Sequence, residues 1–191
     1  KSLGVTTLQQ LVALAKANPG KLTYGSSGVA SSGNITGELF KKRAGIGIRH
    51  IPYKSSTTIL TDLLADRISM FFFTYAYAEQ HIKAGNLVAL AYTGKDRLPA
   101  ASHIPTFAES GFPGFDQTLW FSFFVPAGTS KEAVAKLDAP VHHGFKSQEA
   151  GLNRFFDYVP MPGTPEQMSE VIRDETDRFR KMMTELNIKP E

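Results

Sequence analysis

Residues 23–40 read TYGSSGVASSGNITGELF, a run that sets glycines and hydroxyl side chains just ahead of an apolar, helix-like segment. Three chemistries use stretches of this kind. A phosphate-binding P-loop needs G-x-x-x-x-G-K-[ST], with the lysine on the phosphates and the hydroxyl on magnesium. Gly28 and Gly33 have that spacing, but Asn34 and Ile35 stand where the lysine and hydroxyl belong. A hydrolase nucleophile elbow needs G-x-S-x-G, so that small residues permit the strained turn under the serine. Gly25-Ser26-Ser27-Gly28-Val29 lacks the closing glycine. The dinucleotide fingerprint G-x-G-x-x-G fails too, because no glycines in the run are separated by a single residue. What remains is backbone that can approach a ligand closely, with Ser26, Ser27, Ser31, Ser32 and Asn34 offering hydroxyls and an amide before a helix start. Unpaired N–H groups and the helix dipole make such a start a site for an anion such as a carboxylate. The same residues fit a plain βα turn whose serines cap the helix.

The surrounding elements must hold that loop at the end of a strand. Thr7 with Gln10 forms a capping-box pattern, and Leu8, Leu11, Val12 and Ala15 recur at helical spacing until Asn18-Pro19-Gly20. Residues 22–25 read as a strand, 33–44 as a helix, 46–53 as a strand and 56–65 as a helix. The apolar run 68–74 predicts a strand covered on both faces, 75–84 a helix, and 87–92 a further strand. This alternation predicts a mainly parallel βαβ sheet with flanking helices, an α/β fold. Beyond residue 98 prolines punctuate the chain, with a short helix expected over 104–110 and an aromatic strand over 119–125. Thr129 with Glu132 predicts a capping box for a helix to about residue 146. Thr164, Pro165 and Gln167 predict another, opening a helix to about residue 186 with Met168, Ile172, Glu175, Phe179, Met182 and Leu186 on one side.

Composition bounds the function. Of the residues, 42% are hydrophobic and 20% charged, which suits a folded domain or two small ones. The net charge of +3 is spread without a basic run, favouring anionic ligands and arguing against a nucleic-acid surface. No cysteine is present, so disulfides and thiolate metal sites are excluded. The chain shows no secretory signal pattern and no run long enough to span a bilayer, and it opens on Lys1-Ser2-Leu3 without an initiator methionine. A mature or truncated piece of a longer product is therefore expected.

The stretches ANPGKLTYGSSG (17–28), GELF (37–40), HIPYK (50–54), HIKAG (81–85), IPT (104–106), PAGT (126–129) and GTPE (163–166) occur in the order of one family. In them the chain resembles the tripartite tricarboxylate receptors, the Bug or TctC-like extracytoplasmic solute-binding proteins. The resemblance implies a periplasmic receptor in which two α/β lobes close on a small carboxylate, which passes to membrane transporter subunits unreacted. It implies a type II periplasmic-binding-protein-like lobe over residues 1–122. Residues 123–191 would then return to a first lobe whose N-terminal part has no counterpart here. On the same grounds Ser26, Ser27 and Gly28 meet the ligand carboxylate, with Ser31, Ser32 and Asn34 behind them at the helix start. A histidine is more usual in the family at the place of Asn34, and Thr74-Tyr75 stands where Asp-Asn is common. The lost carboxylate argues against ligands bearing an amine. Ser55 replaces a common glycine, which would stiffen its loop, while Tyr53 and Lys54 could line the cleft or simply pack.

Remaining residues that invite chemistry are read more plainly. His142 and His143 are neighbours on a helix and point apart, so no metal is expected. Trp120 could wall a ligand, though core packing is the plainer reading, and Asp62 with Asp66 reads as a solvated helix face. No cofactor is expected, and no serine, histidine and acid stand in a catalytic order. The leading reading is a receptor and not an enzyme. The alternatives are a hydrolase or phosphate-binding enzyme using the serine loop, and an assembly module. Val134, Leu137, Val141, Phe145, Ile172, Phe179 and Met182 on the last helices would cover a sheet or join another copy of the chain.

Overall fold

A computed structural model describes residues 2–155 and 163–189, with side chains described everywhere in those ranges except 145–155. The first helix, α1 (Leu8–Ala17), opens as its sequence predicts: Thr7 Oγ1 accepts the Gln10 N–H at 3.2 Å and Gln10 Oε1 accepts the Thr7 N–H at 3.3 Å. After it come β1 (Thr23–Ser26), α2 (Ser32–Ala44), β2 (Arg49–Pro52), α3 (Ser56–Leu64), β3 (Met70–Phe71) and α4 (Tyr75–Lys83). The three strands are parallel in the order β2-β1-β3, with β1 in the middle. Because every strand runs into a helix, the loops after β1, β2 and β3 leave from one edge of the sheet. The chain departs from β1 toward β2, then crosses back to place β3 on the opposite side. Open α/β sheets bind ligands at the strand ends beside such a reversal.

The core lies between this sheet and its helices. Phe40 on α2 is wholly buried, edge-on to Phe72, Phe107 and Phe112 at ring separations of 6.3, 5.4 and 5.7 Å. Two glycines set how closely α2 and α3 approach the middle strand. A Cβ on Gly25 would lie 2.5 Å from Ile59 Cγ2, and one on Gly37 would run into the Tyr24 ring. Gly37→Ala is therefore expected to destabilise the fold by about 1–3 kcal/mol, the usual cost of overpacking. Urea unfolding measures it, and an unchanged midpoint would mean that α2 can slide.

Several sequence expectations are corrected. Residues 87–92 form no strand; only Tyr92 bridges to Thr106, through N–H···O bonds of 2.8 and 2.9 Å with Pro105 and Phe107. Strand β3 has two residues, half-buried where full cover was expected. The helix expected over 104–110 is a series of turns, and a short 3₁₀ turn falls at Pro99–Ala101 instead. The aromatic stretch 119–125 has no partner strand among the described residues and lies exposed, Phe121 and Phe123 each at 75%. Trp120 is likewise exposed and joins no core.

Helix α5 (Lys131–Phe155) runs past residue 146, and its first turn is capped by Ser130, whose Oγ accepts the Ala133 N–H at 3.2 Å. Thr129, the expected cap, instead donates to Pro126 O at 2.7 Å. The side chain of Phe145 lies outside the described residues. Helix α6 (Pro165–Glu185) has the predicted Thr164–Gln167 box. Its later turns pack Met182, Phe179 and Leu186 onto the core, while Glu175, which interrupts the stripe, is paired with Arg178 at 2.7 Å. Asp62 is no free surface acid, because it accepts from Tyr53 Oη at 2.9 Å and from Arg67 at 2.8 Å.

Candidate functional site

The glycine- and serine-rich loop leaves β1 at the sheet edge just described. Ser31 is the N-cap of α2 and its Oγ accepts the Asn34 N–H at 3.3 Å. Ala30 takes φ +59, a left-handed conformation uncommon outside glycine, and Asn34 holds it there by accepting the Ala30 N–H on Oδ1 at 3.0 Å. The other end of the amide donates to Tyr24 Oη at 2.9 Å, and Tyr24 in turn donates to Glu38 at 2.6 Å. Burial, followed by the Glu38 carboxylate, pushes the Tyr24 phenol far above its ordinary value, so it stays neutral and donating. Asn34, 4% exposed, is thus the internal strut of the loop.

Ser26 is also turned inward. It is fully buried, and its Oγ lies 2.6 Å from His50 Nε2, 2.9 Å from Gly28 O and 3.1 Å from Ser31 Oγ. Its carbonyl accepts the Tyr53 N–H at 2.9 Å, tying the β1 loop to the β2 loop. Ser27 is exposed, and Gly28, Ser31 and Ser32 are half-buried. Among the described residues the Ser27 and Ser32 hydroxyls make no intramolecular hydrogen bond. Gly28, at φ +121, is a position that L side chains rarely adopt.

The other two loops at this edge carry the remaining sequence candidates. Tyr53 is committed to Asp62, which makes it a brace between β2 and α3. Ser55 caps α3 by accepting the Thr58 N–H at 3.3 Å. Thr74 is the N-cap residue of α4 but makes no side-chain cap bond, and Tyr75, in the first turn, packs against the small cluster of Leu98, Ala101 and Ile104. The edge therefore gathers the N-termini of α2, α3 and α4. No lysine or arginine lies in residues 23–40, so an anion there meets neutral hydroxyls and N–H groups.

Sequence reasoning quoted His50 within a motif and gave it no role. The structure brings it to Ser26 across the β1–β2 pair, with its ring against Tyr24 at 5.0 Å. Strand register could have found it, since Tyr24 and His50 are ladder partners. This Ser–His contact does not make a hydrolase. Ser26 is shut away from solvent, its oxygen is shared among three partners, and the nearby Glu38 carboxylate is held by Tyr24 and Lys41.

A wider concavity than the serine loop offers lies elsewhere. It is an open apolar groove of about 850 Å³ between residues 118–120 and α6, lined by Trp120, Ile172, Phe179 and Met183. Its rim also carries Arg180, Lys189, Thr176 and Asn187, with Arg180 paired to Asp177 at 2.6 Å. The serine loop has neutral donors but only one wall.

A parallel sheet with flanking helices, its loops gathered at one edge, is a periplasmic-binding-protein-like fold. The chain belongs to the family described as "Tripartite tricarboxylate transporter family receptor", which it matches over residues 2–188. It is 31% identical over 189 residues to protein BugT of Bordetella pertussis, covering 98% of this chain and 58% of that protein. It is also 31% identical over 183 residues to the "UPF0065 protein in tcbD-tcbE intergenic region" of Pseudomonas sp. strain P51, covering 95% and 54%. Among solved structures, R. palustris Rpa4515 with adipate superposes at TM-score 0.92 with 34% identity, covering all of this chain and 64% of that one. The periplasmic binding protein BugD, at 20% identity and TM-score 0.85 over 98% of this chain and 64% of its own, shows the shared fold. The chain thus spans little more than half the length of these curated relatives.

Proposed function

We propose that this chain is the ligand-holding part of a periplasmic receptor that takes up a small dicarboxylate and presents it, chemically unchanged, to membrane transporter subunits. The observation that carries the reading is the sheet edge where Ser27, Gly28, Ser31 and Ser32 meet the start of α2, in a chain 34% identical to a receptor solved with adipate. Ser27 and Ser32 donate hydroxyls to one carboxylate, the Gly28 backbone approaches it, and Ser26 and Asn34 hold the loop from behind. Thr74 and Tyr75 form the neighbouring rim. With no acid on that rim to hold an ammonium, adipate is preferred over its 2-amino derivative.

On this reading residues 1–122 are the ligand lobe and residues 123–191 the segment that returns to the other lobe. Closure of two lobes desolvates a ligand and adds contacts from both sides, so one lobe alone retains part of the binding energy. Titration calorimetry of the chain with adipate is expected to show binding weaker than about 1 µM, that is, less favourable than about −8 kcal/mol. Because the donors are neutral, the affinity should change little between low and moderate salt. Tighter binding by a proven monomer would contradict the one-lobe reading. A response to inorganic phosphate but not to adipate would favour a phosphate site.

The exposed stretch 119–125 and the groove beside α6 belong to the same proposal. Leu119 is 55% exposed and Phe124 68%, and together with the groove they leave apolar surface in water. In a complete receptor the remaining lobe would cover it. Alone, the chain is expected to self-associate through this surface, as light scattering during size-exclusion chromatography would show. A one-chain mass that persists at all concentrations, without dye-binding apolar surface, would contradict that expectation.

A further inference from the structure

We infer that His50 is a positioning residue for the carboxylate loop: through Ser26 it sets where the Ser31 hydroxyl points, and so whether that hydroxyl is offered to a bound anion. The inference rests on the loop being the carboxylate site. Two hydroxyl protons and one ring nitrogen share a set of contacts to which the Gly28 N–H adds a further donor to Ser26 Oγ at 3.3 Å. Ser26 Oγ can donate to His50 Nε2 at 2.6 Å or to Gly28 O at 2.9 Å. Ser31 Oγ can donate to Gly28 O at 2.7 Å or to Ser26 Oγ at 3.1 Å, while accepting from the Asn34 N–H.

When Nε2 carries no proton, Ser26 donates to His50, Gly28 O is left to Ser31, and the Ser31 proton points into the loop. When Nε2 carries a proton, it donates to Ser26, and Ser26 turns to Gly28 O. Gly28 O then accepts from both hydroxyls, which weakens its hold on the Ser31 proton and lets that proton turn to an anion at the half-buried rim. Ser26 is fully buried, so water does not take over either role. The tautomer of a histidine is set by what its nitrogens meet, and here the ring in turn sets the direction of the chain of hydroxyls.

Protonation fixes the second arrangement and adds a positive charge behind the loop. The groups facing the ring are Tyr24 on β1, whose phenol stays neutral, and Glu38 and Lys41 on α2, which act on it in opposite directions. Burial, the largest influence, holds His50 below its ordinary value, so the ring is neutral at pH 7.5. A bound anion favours the charged ring, which means that binding tightens as pH falls below about 6.5.

The experiment records ring-nitrogen NMR spectra of ¹⁵N-histidine-labelled chain, together with backbone amide spectra, during adipate titrations at pH 7.5 and 5.5. His50→Gln is the comparison, because its amide reaches the same hydrogen bond without titrating. The expected result is a His50 signal that moves to the Nε2–H form on adipate addition. Affinity should gain about fivefold over His50→Gln on going from pH 7.5 to 5.5, the scale of one added charge near an anion in a partly wet site. Loop amides that respond to adipate while the His50 ring stays unchanged, with identical pH profiles for the two proteins, would overturn the inference and leave the carboxylate site standing. Loop amides that never respond would overturn the site and this inference together.

Discussion

Asn34→Leu is expected to destabilise the chain by about 2–4 kcal/mol and to weaken dicarboxylate binding more than tenfold. Leucine has nearly the same size, so packing is not what is lost. The 4% exposed amide bridges the N–H of half-buried Ala30 at 3.0 Å and the wholly buried Tyr24 Oη at 2.9 Å, which would keep its bond to Glu38. Each buried partner left unpaired costs about 1–3 kcal/mol. Ala30 also loses the contact that holds it at φ +59, so the loop drifts away from the geometry that presents Ser27 and Gly28. Asn34→Asp separates the two effects. It keeps an acceptor for Ala30 but brings a negative charge under the loop and close to Glu38, so the fold should survive better than in the leucine variant while binding still falls. Urea unfolding and calorimetry measure the pair. Wild-type affinity in the leucine variant would show that Asn34 is no strut.

Phe40→Ala is expected to cost about 3–5 kcal/mol, the usual range for emptying a buried phenylalanine site. Phe40 has no exposed surface and meets Phe72, Phe107 and Phe112 edge-on, so one truncation removes the partner of three rings from two other chain segments. It sits on α2, whose N-terminus is the binding loop, and a loosened α2 carries Ser31 and Ser32 with it. A single lobe has little stability in reserve, so the variant should be largely unfolded at 37 °C by circular dichroism. A loss below about 1 kcal/mol would mean that the aromatic cluster does not anchor α2.

These two residues illustrate what the sequence discloses. Helix starts were legible because their chemistry is local: Thr7–Gln10 and Thr164–Gln167 are boxes in which both partners lie within four residues. The βαβ order was legible because apolar runs and glycine turns alternate along residues 22–74. Strand existence at 87–92 and 119–125 was not, because a strand requires a partner. Residues 119–125 have the aromatic composition of a strand but form no strand. At the site, a cluster of hydroxyls ahead of a helix start could be read from the sequence, but not which of them face solvent: Ser26, expected at the ligand, is fully buried. Its orientation depends on His50 across the sheet, 24 residues away. Tyr53 was open between lining the cleft and packing, and its bond to Asp62 puts it with the packing. Thr129 and Ser130 are both good N-cap residues in adjacent positions, and Ser130 takes the cap while Thr129 bonds back to Pro126 O.

The central claim is that residues 27–34 at the sheet edge hold a carboxylate. A crystal structure of the chain grown with excess adipate tests it most directly. The account predicts one adipate carboxylate within hydrogen-bond distance of the Ser27 and Ser32 hydroxyls and the Gly28 backbone, with Ser26 still against His50. Adipate seated in the apolar groove between residues 118–120 and α6, with the serine loop empty, would contradict it.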